Sequence, residues 1–123
     1  MSEKKYDIEE RLIDFAVEII LFVETLLSSK SASHMGGQLL RSGTSPSLNY
    51  GEAKAAESKN DFLHKMKVCL KELRETHNSL RIMHKAKLFH KEEKVVGLNN
   101  ECNELISIFV KSIATASKPK VIS

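Results

Sequence analysis

Apolar residues recur at intervals of three and four along four separate segments of this chain, and this pattern limits the fold more than any other feature. Such spacing places the residues on one side of an α-helix. The segments cover residues 7–27, 34–56, 58–87 and 90–116, with short connections between them. Helices of this length with short loops pack best as an up-and-down bundle. The predicted fold class is therefore all-α, an antiparallel four-helix bundle in one domain, with residues 117–123 as a flexible tail.

The third segment illustrates how the pattern assigns a core. Ser58 is followed three residues later by Asp61, which resembles a capping box at the start of a helix. The residues predicted to face the core are Phe62, Met66, Cys69, Leu70, Leu73, His77, Leu80 and His84. The fourth segment has a similar inner stripe, which consists of Val95, Leu98, Cys102, Leu105, Phe109 and Ile113.

The first segment carries more apolar residues than one buried side requires. Ten of the thirteen residues from 15 to 27 are apolar. A second row, formed by Ile13, Val17, Ile20 and Leu27, lies beside the core-facing one. A surface helix of a monomer needs only a narrower stripe. A central helix could bury both rows, but four helices leave no central position, so the surplus predicts a homo-oligomer. The apolar run is too short to cross a bilayer, so we expect no membrane association.

The second segment is a poor helix by composition, since it contains four glycines and Pro46. Proline inside a helix removes one backbone hydrogen bond, which predicts a kink. The alternative is a loop at residues 43–46 that divides the helix in two.

Polar residues of the second segment recur at steps of three and four and so share one side of the helix. We interpret them as a structural polar layer that pairs with carboxylates of the third segment and fixes the packing register. The pair Arg41 and Glu72 is the first to examine. The predicted layer consists of Gln38, Arg41, Ser45, Asn49, Glu52, Glu72 and Glu75.

Positive charge is concentrated in the third segment. Residues 59–94 carry ten Lys/Arg against five Asp/Glu, a net of +5, whereas residues 1–58 have a net of −3. Within the third segment, basic side chains and Asn78 fall in a narrow arc away from the apolar side. Such a row could neutralise the phosphates of RNA or DNA, although many helices carry a solvated lysine-rich side without binding anything. This basic stripe consists of Lys67, Lys71, Arg74, Arg81 and Lys85.

Catalytic and metal-binding patterns are not evident. No nucleophile, base and orienting group converge, so we expect no enzymatic activity and no cofactor. His77 and His84 stand about 10 Å apart along a helix, too far to share a metal ion. Since phosphotransfer domains are also four-helix bundles, His64 is a conceivable phosphorylation site, but Val68 stands where such a site needs a small residue. This alternative is the weakest.

Two features indicate a cytoplasmic location. Cys69 and Cys102 stand far apart at apolar helix positions, which predicts buried free thiols in a reducing compartment. The first ten residues are highly charged and do not resemble a signal peptide.

The second and third segments together resemble a known family, the small proteins often encoded inside intervening sequences of bacterial 23S ribosomal RNA genes. The similarity extends from about Tyr6 to Ala116. Family aromatic positions are replaced here by Asn78 and Ser79, and Pro46 replaces an aliphatic residue. The matching residues are Gln38, Leu39, Arg41, Ser42, Thr44, Ser45, Asn49, Glu52 and Ala53, then Phe62, Lys65, Glu72, Glu75 and Thr76.

This resemblance implies a left-handed up-and-down bundle, a homo-oligomer that is a barrel-shaped pentamer in some members, and no enzymatic activity. A related branch, the accessory variability protein of diversity-generating retroelements, partners a reverse transcriptase and contacts nucleic acid. The resemblance thus leaves two roles open, a scaffold of the ribosomal RNA locus or a retroelement accessory factor. A neighbouring reverse transcriptase gene would favour the retroelement role, and a neighbouring ribosomal RNA gene would favour the scaffold role.

Overall fold

Four helices make up the protein in the computed structural model, which describes residues 7–119. Helix α1 covers Ile8–Val23, α2 covers Lys30–Lys54, α3 covers Lys59–Ala86 and α4 covers Glu92–Ser117. Residues 7–119 contain no strand, and the predicted all-α four-helix bundle is confirmed. Ser117 still belongs to α4, whereas residues 120–123 of the expected tail lie outside the described residues.

Each helix packs against its neighbours in the chain, and α1 and α4 close the bundle. In each successive pair, residues near the start of one helix contact residues near the end of the other, so neighbouring helices run antiparallel. The contacts that establish this are Glu9 with Lys54, Lys65 with Glu52, and His84 with Glu92. The left-handed arrangement stays a prediction.

The structure corrects the prediction of which α3 residues face the core. Thr76 and Met83 are fully buried, whereas His77 and His84 are only half-buried. Both histidines lie toward α4, where His77 Nδ1 is 2.7 Å from Asn99 Oδ1. An imidazole keeps a polar partner at this edge of the core, while Met83 fills its apolar centre.

The two cysteines are buried free thiols, as predicted. Burial raises the pKa of both Cys69 and Cys102 to about 12. The Cys102 Sγ lies 3.2 Å from the Leu73 carbonyl oxygen. At neutral pH both groups therefore stay protonated, and the thiolate needed for reaction is scarce.

Helix α2 begins four residues before the predicted start, and it runs through Pro46 without interruption. The side chain of Ser29 accepts a hydrogen bond of 3.0 Å from the backbone N–H of Ala32, which caps the helix. The alternative of a loop at residues 43–46 is wrong. Pro46 is itself buried, and its carbonyl lies 3.5 Å from the Cys69 Sγ. Packing against α3 offsets the lost helical hydrogen bond.

Helix α1 ends four residues before its predicted end. The Thr25 hydroxyl donates a hydrogen bond of 2.8 Å to the Phe22 carbonyl, which closes the last turn. The backbone N–H of Leu27 donates to the carbonyl of Leu88 at 3.3 Å, so Leu27 belongs to the loop that packs on the end of α3. The bounds of α3 and α4 lie within two residues of those predicted.

Gly43 allows α1 and α2 to approach closely. A Cβ at this position would lie 2.8 Å from Cγ1 of Ile19 and 2.9 Å from its Cγ2. Both distances are shorter than a van der Waals contact, so a larger residue would push the helices apart. The core position of Ile19 depends on this glycine.

Candidate nucleic-acid and self-association surfaces

The basic stripe lies on the solvent side of α3. Lys67, Lys71, Arg74, Arg81 and Lys85 are all exposed, and so is Asn78. The core residues Leu73 and Leu80 occupy the opposite side of the same helix. From Lys67 to Lys85 the row extends about 27 Å at the usual helical rise.

The charges of the stripe are not neutralised by partners within residues 7–119. The ion pairs there involve Arg11, Arg41, Lys54, Lys65 and His84, but no member of the stripe. Glu72 and Glu75, the carboxylates nearest in sequence, are engaged by Arg41 instead. The stripe therefore presents to the solvent five basic side chains that form no ion pair within the described residues.

Aromatic residues do not accompany the stripe. Within residues 7–119 every Phe and Tyr side chain is buried or half-buried. Base stacking on aromatic rings is a main source of sequence-tolerant single-strand binding. The surface can thus attract a phosphate backbone through charge, without a stacking platform beside it.

The predicted polar layer is only partly formed and is not buried. Arg41 donates hydrogen bonds to Glu72 Oε1 at 3.0 Å and to Glu75 Oε2 at 2.9 Å, which confirms the predicted pair. The Arg41 side chain is nevertheless 51% exposed, so the pair lies at the surface. The hydrogen bond from Arg41 lowers the pKa of Glu75, and the charge of Lys71 adds to this effect.

The other members of the layer do not reach the carboxylates of Glu72 and Glu75. The Asn49 amide donates to the Ser45 carbonyl at 3.1 Å and to the Ser45 hydroxyl at 2.9 Å, both within α2. Glu52 pairs with Lys65 at 2.6 Å, and Gln38 is exposed.

The buried polar contact between α2 and α3 is a different pair, which the sequence reasoning missed. The Thr76 hydroxyl is hydrogen-bonded to the Ser42 hydroxyl and to the Glu72 carbonyl, both at 2.9 Å. Ser42 is 1% exposed and Thr76 is 0% exposed. Ser42 and Thr76 are both among the residues that match the family, and this match is the sequence feature that could have predicted their burial.

Replacing Thr76 with Val should therefore destabilise the protein more than replacing Arg41 with Gln. The first change leaves the buried Ser42 hydroxyl without its partner, at a cost of about 1–3 kcal/mol. The second removes a solvent-screened ion pair, for which we expect little change. Urea unfolding of both variants measures the difference. Adding Ser42→Ala to Thr76→Val should recover part of the loss, and equal losses for Thr76→Val and Arg41→Gln would contradict the assignment.

The histidines and cysteines do not group into a metal site within residues 7–119. No three His, Cys, Asp or Glu side chains there are placed to hold a metal ion. His64 is exposed on α3, and half-buried Val68 follows one turn later. His84 Nε2 lies 2.8 Å from Glu92 Oε2.

The outer side of α1 is apolar and exposed to solvent. Ile13 and Ile20 are each 42% exposed, Val17 is 46% exposed and Leu21 is 56% exposed. We call these four residues the α1 outer face. Leu21 was not part of the predicted second row, while Leu27 of that row packs in the loop. Contiguous exposed apolar side chains of this kind mark interaction sites on soluble proteins.

A groove of about 590 Å³ separates α1 from α4, the most loosely packed pair of neighbouring helices. Its floor includes Phe15, Phe22 and Leu98. At one end Arg11 spans the gap and donates to Glu101 at 2.7 Å and Glu104 at 2.9 Å. These hydrogen bonds raise the pKa of Arg11 above the ordinary value of an arginine. The sequence did not predict this groove, because the residues at its floor have the same helical spacing as the other core residues.

The arrangement defines an all-α four-helix bundle with a basic stripe on one helix and an apolar outer face on another. The family model described as 23S rRNA-intervening sequence protein matches residues 4–111, and the chain belongs to this family. The predicted resemblance is confirmed. No helix within residues 7–119 meets the length and hydropathy that spanning a membrane requires.

A solved structure agrees with this assignment. It is the crystal structure of a protein with unknown function from the S23 ribosomal protein family of Bacteroides thetaiotaomicron. The two chains are 30% identical and superpose with a TM-score of 0.80, over 87% of this chain and 98% of the other. No curated protein matches this chain.

Proposed function

We propose that this protein is a non-catalytic scaffold that assembles into a homo-oligomer and contacts RNA through the basic stripe. The number of subunits implied by the family resemblance is five. The two buried free thiols fit a reducing cytoplasm. In this proposal the bundle contributes rigidity and two separate surfaces, one for copies of itself and one for phosphate.

The α1 outer face carries the proposal of self-association. Its four side chains stay between 42% and 56% exposed in a single subunit, although they belong to the most apolar helix. Each square ångström of apolar surface removed from water contributes about 25 cal/mol. Covering this face with another subunit therefore provides a driving force that a lone bundle lacks.

The basic stripe supports the contact with RNA. Five cationic side chains lie in one row on α3, and none of them is paired within the described residues. A row of this length spans several successive phosphates, whose condensed counterions are released on binding. The stripe lies on α3, so it does not coincide with the α1 outer face.

Thiol labelling of Val17→Cys tests self-association directly, because the native thiols are buried and protonated. In a lone subunit this position is half-exposed and a new thiol there should react quickly. We expect its labelling to slow at least about tenfold as the concentration rises into the micromolar range and subunits assemble. Lys71→Cys on the basic stripe is the matched control and should label quickly throughout. If Val17→Cys reacts as fast as the control at every concentration, the proposal is wrong.

A further inference from the structure

The α1 outer face continues onto α2. Ile13 and Ile20 lie one turn beyond Glu9 and Ala16, on the side of α1 that turns toward α2, since Glu9 pairs with Lys54. On α2, Leu40 is 38% exposed and Leu48 is 70% exposed. Five of the exposed large apolar side chains thus share this α1/α2 face. Arg41 lies at its α3 edge, where it pairs with Glu72 and Glu75. The residues of the face are Ile13, Val17 and Ile20 of α1 and Gly37, Leu40, Thr44, Leu48 and Gly51 of α2.

Two glycines of this face have no role within one subunit. A Cβ at Gly37 or at Gly51 would meet nothing within 4 Å, in contrast to Gly43. Neither residue has a positive φ angle. A glycine inside a helix is less favourable than alanine because it loses more backbone freedom on folding. Both positions are seven residues from Thr44, so the three small residues follow one line along the outside of α2.

We propose that a second copy of this chain packs on the α1/α2 face, with Gly37 and Gly51 at the points of closest approach between helices. This inference rests on the proposed self-association and specifies the surface that performs it. Small residues let two helix backbones approach closely, while Leu40, Leu48 and the α1 side chains supply apolar contact on both sides. The otherwise unfavourable glycines then have a physical reason.

The size of the face suits a subunit interface. The α1/α2 face is the apolar centre of the side of the bundle that these two helices form. Helices of 16 and 25 residues are about 24 and 37 Å long, so with a width near 10 Å each this whole side presents roughly 600 Å². Two such surfaces together bury on the order of 1,200 Å², the lower end of the range for specific protein interfaces. Apart from Arg41, whose charge is already paired with Glu72 and Glu75, the named residues of the face are uncharged. The face therefore does not repel another copy of this chain, and it offers little to a phosphate backbone.

Replacing both Gly37 and Gly51 with Gln tests this surface in the full chain. The side chains point into open space in one subunit, so the variant should fold, with a helical circular-dichroism spectrum. At the interface they would hold the helices apart, and we expect subunit affinity to fall roughly 100-fold or more. Gly97→Gln is the matched control, since a Cβ at this glycine of α4 also meets nothing within 4 Å. It should keep the mass of the unmodified protein.

Sedimentation velocity of the three proteins at equal concentration gives the result. A folded 13.8 kDa monomer for the double variant, beside an assembled control, supports the inference. An assembled double variant, or a control that dissociates equally, overturns it and leaves self-association through another surface intact. If the unmodified protein is itself a monomer, the proposed function fails together with the inference.

Discussion

Exchanging Lys71 and Arg74 for Glu should weaken binding to single-stranded RNA by on the order of a hundredfold at moderate salt, because each exchange replaces a phosphate contact with a repulsive charge. Five contacts predict a slope of about −3.5 for the logarithm of affinity against the logarithm of salt concentration. Removing two of them should reduce the magnitude of that slope by about 1.4. Both residues are exposed on the outer side of α3, so the fold should stay unchanged. Fluorescence anisotropy of labelled RNA across a salt series measures both quantities.

A control with the same net charge separates this row from general electrostatic attraction. Lys30 at the start of α2 and Lys111 on α4 are also exposed, and neither lies on the stripe. Their joint exchange for Glu should leave most of the affinity and nearly the original slope. Equal weakening by the two double variants would show that net charge alone attracts RNA, and unchanged affinity of the Lys71 and Arg74 variant would exclude the stripe.

Placing Asp at both Val17 and Ile20 should convert the assembly into folded monomers. The two side chains are half-exposed in a lone subunit, so the charges cost the monomer little beyond helix propensity. Inside an interface each carboxylate would lose its water without gaining a partner, at a cost of several kcal/mol. We expect subunit dissociation to become at least about a thousandfold easier. Light scattering gives the mass, and circular dichroism checks that the helices persist.

The matched control for this change lies on α4. Val96 is 39% exposed and Val110 is 42% exposed, which is close to the exposure of Ile20, but neither belongs to the α1 outer face. Asp at both positions should leave the mass unchanged. Dissociation of this control would show that the apolar surface of α4 is also part of the interface. Full assembly of the Val17 and Ile20 variant would show that α1 is not part of the interface.

Much of the fold could be predicted because a helix repeats every 3.6 residues and the apolar side chains follow that period. This signal placed Leu73 and Leu80 of α3 and Leu105 and Phe109 of α4 in the core, where they are fully buried. It could not place Thr76, since a hydroxyl is buried only when its partners are present, and one of them, the Ser42 hydroxyl, belongs to another helix.

Helix ends were less predictable, because they depend on single hydrogen bonds. The serine-rich stretch before α2 reads as a loop by composition, yet the side-chain hydrogen bond of Ser29 starts the helix within it. Pro46 illustrates the reverse case, in which tertiary packing keeps a helix intact against its local preference. The groove between α1 and α4 depends on how tightly two helices approach, which no pattern within one helix encodes.

The molar mass of the unmodified protein, measured by light scattering from about 1 to 100 µM, tests the central claim of self-association through an exposed apolar face. The account predicts a multiple of the 13.8 kDa chain mass at the upper concentrations, with five copies as the expected number. A constant 13.8 kDa across the whole range would contradict it.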